Sequence, residues 1–190
     1  MAGPWYSPDE LKRHGFRSFG RDVLVSRLAV FYGQDRISLG NRCRIDDYCH
    51  LSAGSGGIEI GEHVHLAPMV TLSGAGAIRI EDFSGLSAKV SVFSSTDDYL
   101  GFGMTNPTVP DRWRCVKTEE ILVGRHSIIG AGSVLLPGSR LPEGVAVGAL
   151  SVVSKELESW SVYAGNPVRK LIDRRRDPLE LERRWLEEGA

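Results

Sequence analysis

A chain of 190 residues with no apolar run near the roughly 20 residues needed to cross a bilayer carries no membrane-spanning helix. It also lacks a surplus of either charge: 23 Lys and Arg stand against 24 Asp and Glu, a formal net charge of −1. Without a basic excess nothing drives binding along a phosphate backbone, which argues against a nucleic-acid partner. Cysteine is scarce. Cys43, Cys49 and Cys115 are an odd number, and none belongs to a Cys-x-x-Cys pair or to a Cys/His cluster of zinc-ligand spacing. No metal and no redox motif is expected, and the reading is a reduced, cytoplasmic protein. The stretch from Met1 to Arg13 has no basic start followed by an apolar core, so no signal peptide is expected.

What is abundant is glycine, 22 residues in a composition otherwise ordinary for one folded domain, 42% hydrophobic and 25% charged. A repeat explains it. Aliphatic residues fall six apart at Leu39, Ile45 and Leu51, at Ile60, Leu66 and Leu72, and at Ile80, Leu86 and Val92. The series resumes at Val123, Ile129 and Leu135 and continues through Leu141, Val147 and Val153. Six is a multiple of the strand period of two, so each aliphatic residue can close a short strand with the same side facing inward. The helical period of 3.6 would scatter the same residues around an axis. Gly40, Gly61, Gly124, Gly130 and Gly148 each follow a marked residue, at corners where φ is positive or backbones approach closely. Three strands then close one coil of a triangular prism, and each coil buries its aliphatics against its neighbours.

At the start, Ser7-Pro8-Asp9-Glu10 reads as a capping box opening a helix over 8–14 that Gly15 ends. Val25 and Phe31 look like a partial coil. A second helix begins at Asp177-Pro178, and both helices are expected to cap the open ends of the prism. Residues 94–120 break the rhythm with Ser94-Ser95-Thr96-Asp97-Asp98-Tyr99, Asn106-Pro107 and Trp113. So long an excursion from a strict repeat is usually functional. The single domain is thus organised as an N-terminal helix and cap (1–22), N-terminal coils (23–93), an extended active-site loop (94–120), C-terminal coils (121–156) and a C-terminal tail and helix (157–190).

The hexads resemble those of the hexapeptide-repeat acyltransferases, and the resemblance covers roughly residues 5–173. Three stretches carry it further: Ser94 to Asp98 with Met104-Thr105-Asn106-Pro107, Ile128-Ile129-Gly130-Ala131-Gly132-Ser133-Val134, and Tyr163-Ala164-Gly165-Asn166-Pro167. Together they resemble sugar O-acetyltransferases of surface-polysaccharide biosynthesis. The resemblance implies an all-β fold, a left-handed parallel β-helix of about five to six coils. It implies a homotrimer, with acetyl-CoA in the groove between two prisms and a sugar or nucleotide sugar as acceptor. By the same likeness, backbone at Ala131, Gly132, Gly148 and Ala149 would bind the pantetheine arm, and Arg169 and Lys170 would face the nucleotide phosphates.

The sequence departs from that family at the base. Many members place a His in the loop, whereas this chain has Asp97 there and no His between residues 66 and 125. Asp, with an ordinary pKa of about 3.9, is a poor base for a hydroxyl unless burial or a neighbouring carboxylate raises it. Three readings remain open: Asp97 or Asp98 is the base; His65 reaches the site from another coil, in a run resembling one in nucleotide-sugar N-acetyltransferases; or the acceptor is an amine. Tyr99, Asn106 and Trp113 are the candidate substrate contacts, the aromatics as flat faces for a sugar ring. A γ-type carbonic anhydrase would need three converging histidines, and His50, His63 and His65 have the wrong spacing for it. A non-catalytic scaffold would need neither the polar loop nor the Gly-Asn-Pro ending. The principal expectation is acetyl transfer to a sugar hydroxyl, with N-acetylation of an amino-sugar nucleotide as the alternative.

Overall fold

The structure, a computed structural model, describes residues 4–189, so residues 1–3 of the expected N-terminal cap and residue 190 of the tail lie outside the described residues. Short strands stack into three parallel sheets that form the faces of a prism. The first face runs from Ser18–Phe19 through Ile37–Leu39, Ile58–Ile60, Ile78–Ile80 and Ile121–Val123 to Arg140–Leu141. The second runs from Leu24–Val25 through Arg44–Ile45, His65–Leu66, Gly85–Leu86, Ile128–Ile129 and Ala146–Val147 to Ser161–Ala164. The third runs from Val30–Tyr32 through His50–Ala53, Thr71–Gly74, Ser91–Phe93 and Val134–Leu135 to Val152–Val153.

Every aliphatic position of the hexad series is buried, as are Val25 and Phe31. In-register pairing explains this: Leu39 lies on Ile60, Ile45 on Leu66 and Leu51 on Leu72, so each side chain is roofed by its counterpart one coil on. The coils reach further than 23–156. Ser18–Phe19 pairs with the Ser38–Leu39 pair and completes a first coil, and Ser161–Ala164 continues the second face in parallel before Arg169–Asp173 turns back antiparallel to it.

The corners divide the glycines' expected roles. Gly40 and Gly61 do not have left-handed backbones; a Cβ on Gly40 would lie 2.5 Å from the Gly61 carbonyl carbon, and one on Gly61 2.8 Å from the Asp82 nitrogen. Close stacking is therefore what they permit. The left-handed residue comes two positions later and is mostly not glycine: Arg42, His63, Phe83 and His126 at one corner, Tyr48, Met69, Lys89 and Leu150 at the next. Inside the corners, Ser84 and Ser133 donate to the carbonyls of Gly124 and Gly148 in the following coil. Cys43 and Cys49 stand in the same kind of position, their thiols directed at the carbonyls of Gly61 and Ala67. Burial pushes both thiols up to about 11, so they are inert structural groups.

The N-terminal helix, Pro8–His14, has the reciprocal Ser7–Glu10 cap and a left-handed Gly15, and it buries Leu11 against the first coil. The C-terminal helix, Asp177–Glu187, does not cap the far end. It lies along a corner, where Trp185 packs edge-on against His63 and Phe83, and Glu182 bonds to Arg125 and His126. The reason is chemical: the left-handed corner positions carry an aromatic column, His63 on Phe83 on His126, which offers an apolar landing for a tryptophan. Because each coil is stabilised by both neighbours, Leu72→Ala, which removes a fully buried side chain in mid-stack, is expected to lower unfolding free energy by about 2–5 kcal/mol in a denaturant titration at fixed protein concentration.

Candidate active site

The 94–120 excursion leaves the third face after Ser91–Phe93 and returns to the first at Ile121–Val123, which pairs directly with Ile78–Ile80. Its base is tied by a short antiparallel pairing of Ser95 with Thr118 and Thr96 with Lys117. Its tip is an exposed arm, with Tyr99 90% and Phe102 81% accessible. The arm borders a cleft of about 500 Å³ lined by Asp97, Asp98, Tyr99, Phe102, Cys115 and Lys117, among others. Thus Asp97, Asp98 and Tyr99 share one cleft, while Asn106 and Trp113 lie elsewhere on the arm.

The two carboxylates differ. Asp98 accepts the backbone N–H groups of Leu100 at 2.8 Å and Gly103 at 2.9 Å, and these bonds hold it below the usual carboxylate range. The expectation that a neighbouring carboxylate raises the pKa therefore fails for Asp98, which is an organiser of the arm. Asp97 accepts one bond, from the Asn106 N–H at 3.1 Å, so Asn106 anchors the loop by its backbone while its side-chain oxygen accepts from the Thr108 N–H. Trp113 is half exposed and carries the Arg112 guanidinium near its ring.

His65 lies on the outer side of the second face, in register with Arg44 on one side and Gly85 on the other. Its Nε2 is 2.8 Å from Asp46 Oδ2, and Arg44 Nε donates to the other carboxylate oxygen at 2.7 Å. Asp46 is 7% exposed. Burial opposes its charge, but the bonds from His65 and Arg44 outweigh it and leave the carboxyl below its usual range. An ionised carboxylate only accepts, so Nε2 carries a proton, and in the neutral tautomer this leaves Nδ1 as the acceptor. Asp46 is a site residue not singled out from the sequence; its distance of 19 positions from His65, about one coil, is the signal that could have found it.

At the corner after the second face, the N–H groups of Ala131 and Ala149 donate to no backbone or side-chain acceptor among the described residues, whereas the Ala131 carbonyl accepts from Leu150 and Gly132 donates to Ala88. Gly148 leaves just enough room for Ala164, whose Cβ would be 3.0 Å from an added Cβ. Along this corner Tyr48 and Met69 are exposed on successive coils, and Leu150 is exposed beyond the Lys89 and Gly132 positions that separate it from them. Arg169 and Lys170 open the antiparallel return strand. Lys170 is held by Asp173 and Glu158, both at 2.8 Å, which raise its pKa.

The three histidines of the metal reading do not converge. His50 is on the third face against Tyr32, His63 is in the corner column rather than on the His65 strand, and His65 is bound to Asp46. Among the described residues no group of His, Cys, Asp and Glu is arranged to hold a metal, and no helix is long and apolar enough to cross a membrane.

No protein-family model matches the chain. It is 43% identical over 173 residues to dTDP-4-amino-4,6-dideoxy-D-glucose acyltransferase of Escherichia coli, covering 91% of this chain and 90% of that one. It is 25% identical over 179 residues to WbbJ of Escherichia coli K12, a protein named for O-acetyl transfer in lipopolysaccharide biosynthesis, covering 82% of this chain and 86% of that one. Among solved structures, the N-acyltransferase AntD from Bacillus cereus, in complex with dTDP-4-amino-4,6-dideoxyglucose and coenzyme A, matches with a TM-score of 0.93 at 39% identity over 98% of this chain and 100% of that one. AntD is also known with dTDP and 3-hydroxybutyryl-CoA, and that complex matches with a TM-score of 0.91. The likeness sets the hand of the coil and the general chemistry together: the chain belongs to the hexapeptide-repeat, left-handed β-helix acyltransferases related to the sugar acyltransferases.

Proposed function

We propose that the protein transfers an acyl group from an acyl-coenzyme A to the amino group of a dTDP-linked 4-amino-4,6-dideoxy sugar. The observation that carries this reading is its likeness, across nearly the whole chain, to one protein named for that sugar and to an N-acyltransferase crystallised with it. It favours the amine over the hydroxyl that headed the expectations. It also removes the difficulty with the base. An amine is a competent nucleophile once neutral, and a carboxylate suffices to attract its ammonium form and accept a proton during attack. The nitrogen attacks the thioester carbonyl, the new C–N bond forms as the C–S bond breaks, and the amine proton passes through the base to the departing thiolate.

Asp97 is the base in this reading, since Asp98 is committed to backbone N–H groups. Crystallised AntD variants replace a Ser and an Asp ten positions apart, and Ser87 and Asp97 stand ten apart here. That spacing supports Asp97 and adds Ser87, whose hydroxyl has no partner among the described residues. His65 is the second candidate, as an acceptor through Nδ1. The free N–H groups of Ala131 and Ala149 suit the two amides of a pantetheine arm, with Gly132 and Gly148 keeping the corner narrow. Arg169 would meet the nucleotide phosphates, while Lys170 mainly secures its own hairpin through its two carboxylates. Tyr99 and Trp113 offer stacking faces, and Asn106 shapes the arm.

Leu150 lies beside those free N–H groups, and Tyr48 and Met69 add exposed apolar surface farther along the same corner, beyond Lys89. A second copy covering this corner would bury apolar surface and wall the pantetheine groove, which supports a homotrimer. With acetyl-CoA and dTDP-4-amino-4,6-dideoxyglucose, thiol release coupled to formation of the amide is expected, and release with hydroxyl acceptors alone would overturn the reading. Asp97→Asn is expected to lower kcat by about tenfold or more with little change in melting temperature; unchanged turnover would move the proton-accepting role to His65. In sedimentation equilibrium the expected mass is three times the 20.8 kDa chain, and Leu150→Glu is expected to shift it toward one.

A further inference from the structure

The outer side of the second face carries one side chain per coil: Leu24, Arg44, His65, then Gly85, then Ile128 and Ala146. Gly85 interrupts the row. An added Cβ there meets nothing within 4 Å, and its backbone is not left-handed, so neither packing nor conformation requires a glycine. The result is a notch one residue wide. Its walls are unlike and held in place: His65 is fixed by the buried Asp46, which Arg44 also grips under the Trp5 ring, and Ile128 is a half-exposed aliphatic strand residue. Neighbouring strands are about 4.8 Å apart, so a row of carbon atoms over Gly85 lies about 4.8 Å from each wall, close to the contact distance of about 4 Å. The notch therefore fits one methylene chain.

Its position along the axis suggests which chain. Ala149 and Ala131 belong to successive coils, and the next coil in the same direction is that of Gly85. A pantetheine arm spans about 15 Å, roughly the reach of four extended residues and about three coil spacings. An arm passing the free N–H groups of Ala149 and Ala131 thus brings its thioester to the Gly85 coil.

We infer that Gly85 is a specificity-determining residue: the notch it leaves between His65 and Ile128 receives the acyl chain, so that the enzyme uses acyl groups longer than acetyl. This rests on the acyl-transfer reading above. The test compares acetyl-CoA with butyryl-CoA on dTDP-4-amino-4,6-dideoxyglucose for the wild-type chain, Gly85→Ala and Gly85→Leu, with melting temperature as the folding control. The wild type is expected to use both thioesters. The ratio of kcat/KM for butyryl-CoA to that for acetyl-CoA should fall stepwise, by about tenfold or more at Leu, as expected when a buried chain loses its space. A ratio that stays constant in both variants, or a wild type that uses acetyl-CoA alone, overturns the inference while leaving the acyl-transfer reading standing. A wild type that transfers neither group to the amino sugar overturns that reading, and the inference falls with it. Should Gly85→Leu fail to fold, Gly85→Ala still decides, because its single methyl meets open space.

Discussion

Everything in this molecule depends on each coil giving its backbone hydrogen bonds to the next one. A strand of two or three residues has no stability alone. Here it gains partners on both sides, and the pairing holds every strand of a face in one register. That register keeps the aliphatics stacked, brings Gly40 against Gly61, and aligns the hydroxyls and thiols inside the corners with the carbonyls of the following coil. It also builds the functional surfaces. A residue on the outer side of a strand has a fixed neighbour one coil above and one below, so His65 meets Asp46 and Arg44, and Gly85 opens a gap between His65 and Ile128.

Much of this was legible in the residues. The six-residue spacing of Leu39, Ile45 and Leu51 and their counterparts is a direct readout of strand pitch and coil closure, and all of them are buried. The break at 94–120 was equally plain, because a strict repeat makes any departure visible. The corner chemistry was less so. Left-handed backbone is usually sought at glycine, yet Arg42, His63, Phe83 and His126 adopt it because stacking and cross-coil bonds over-determine the turn. The placement of the C-terminal helix was hidden for a related reason. It depends on an aromatic column whose members are some 20 or more positions apart in sequence and adjacent only once the coils are stacked.

The chemistry of the acceptor was the least legible part. Asp97 and Asp98 are adjacent in sequence and look interchangeable, but the arm bends so that Asp98 gathers two N–H groups while Asp97 receives one. Backbone geometry thereby gives two neighbouring carboxylates different surroundings. The absence of a loop histidine reads as a defect when a hydroxyl must be deprotonated. It is unremarkable when the acceptor is an amine, whose cationic form a carboxylate attracts. The same residue type is thus weak or sufficient according to the partner it serves.

The manner in which the arm joins the prism has an evolutionary consequence. Ile78–Ile80 and Ile121–Val123 are immediate neighbours in the first face, so the stack closes beneath the arm as though it were absent. The arm is tied down at its base, by the short pairing of Ser95 and Thr96 with Thr118 and Lys117 and by bonds of Ser94 and Ser95 to Gly76 and Ala75 in the coil beneath. A segment inserted in this way can be lengthened, shortened or exchanged without disturbing a single coil. The solenoid is a chassis and the arm a cassette, and the cassette can be exchanged while the stack beneath it keeps its register.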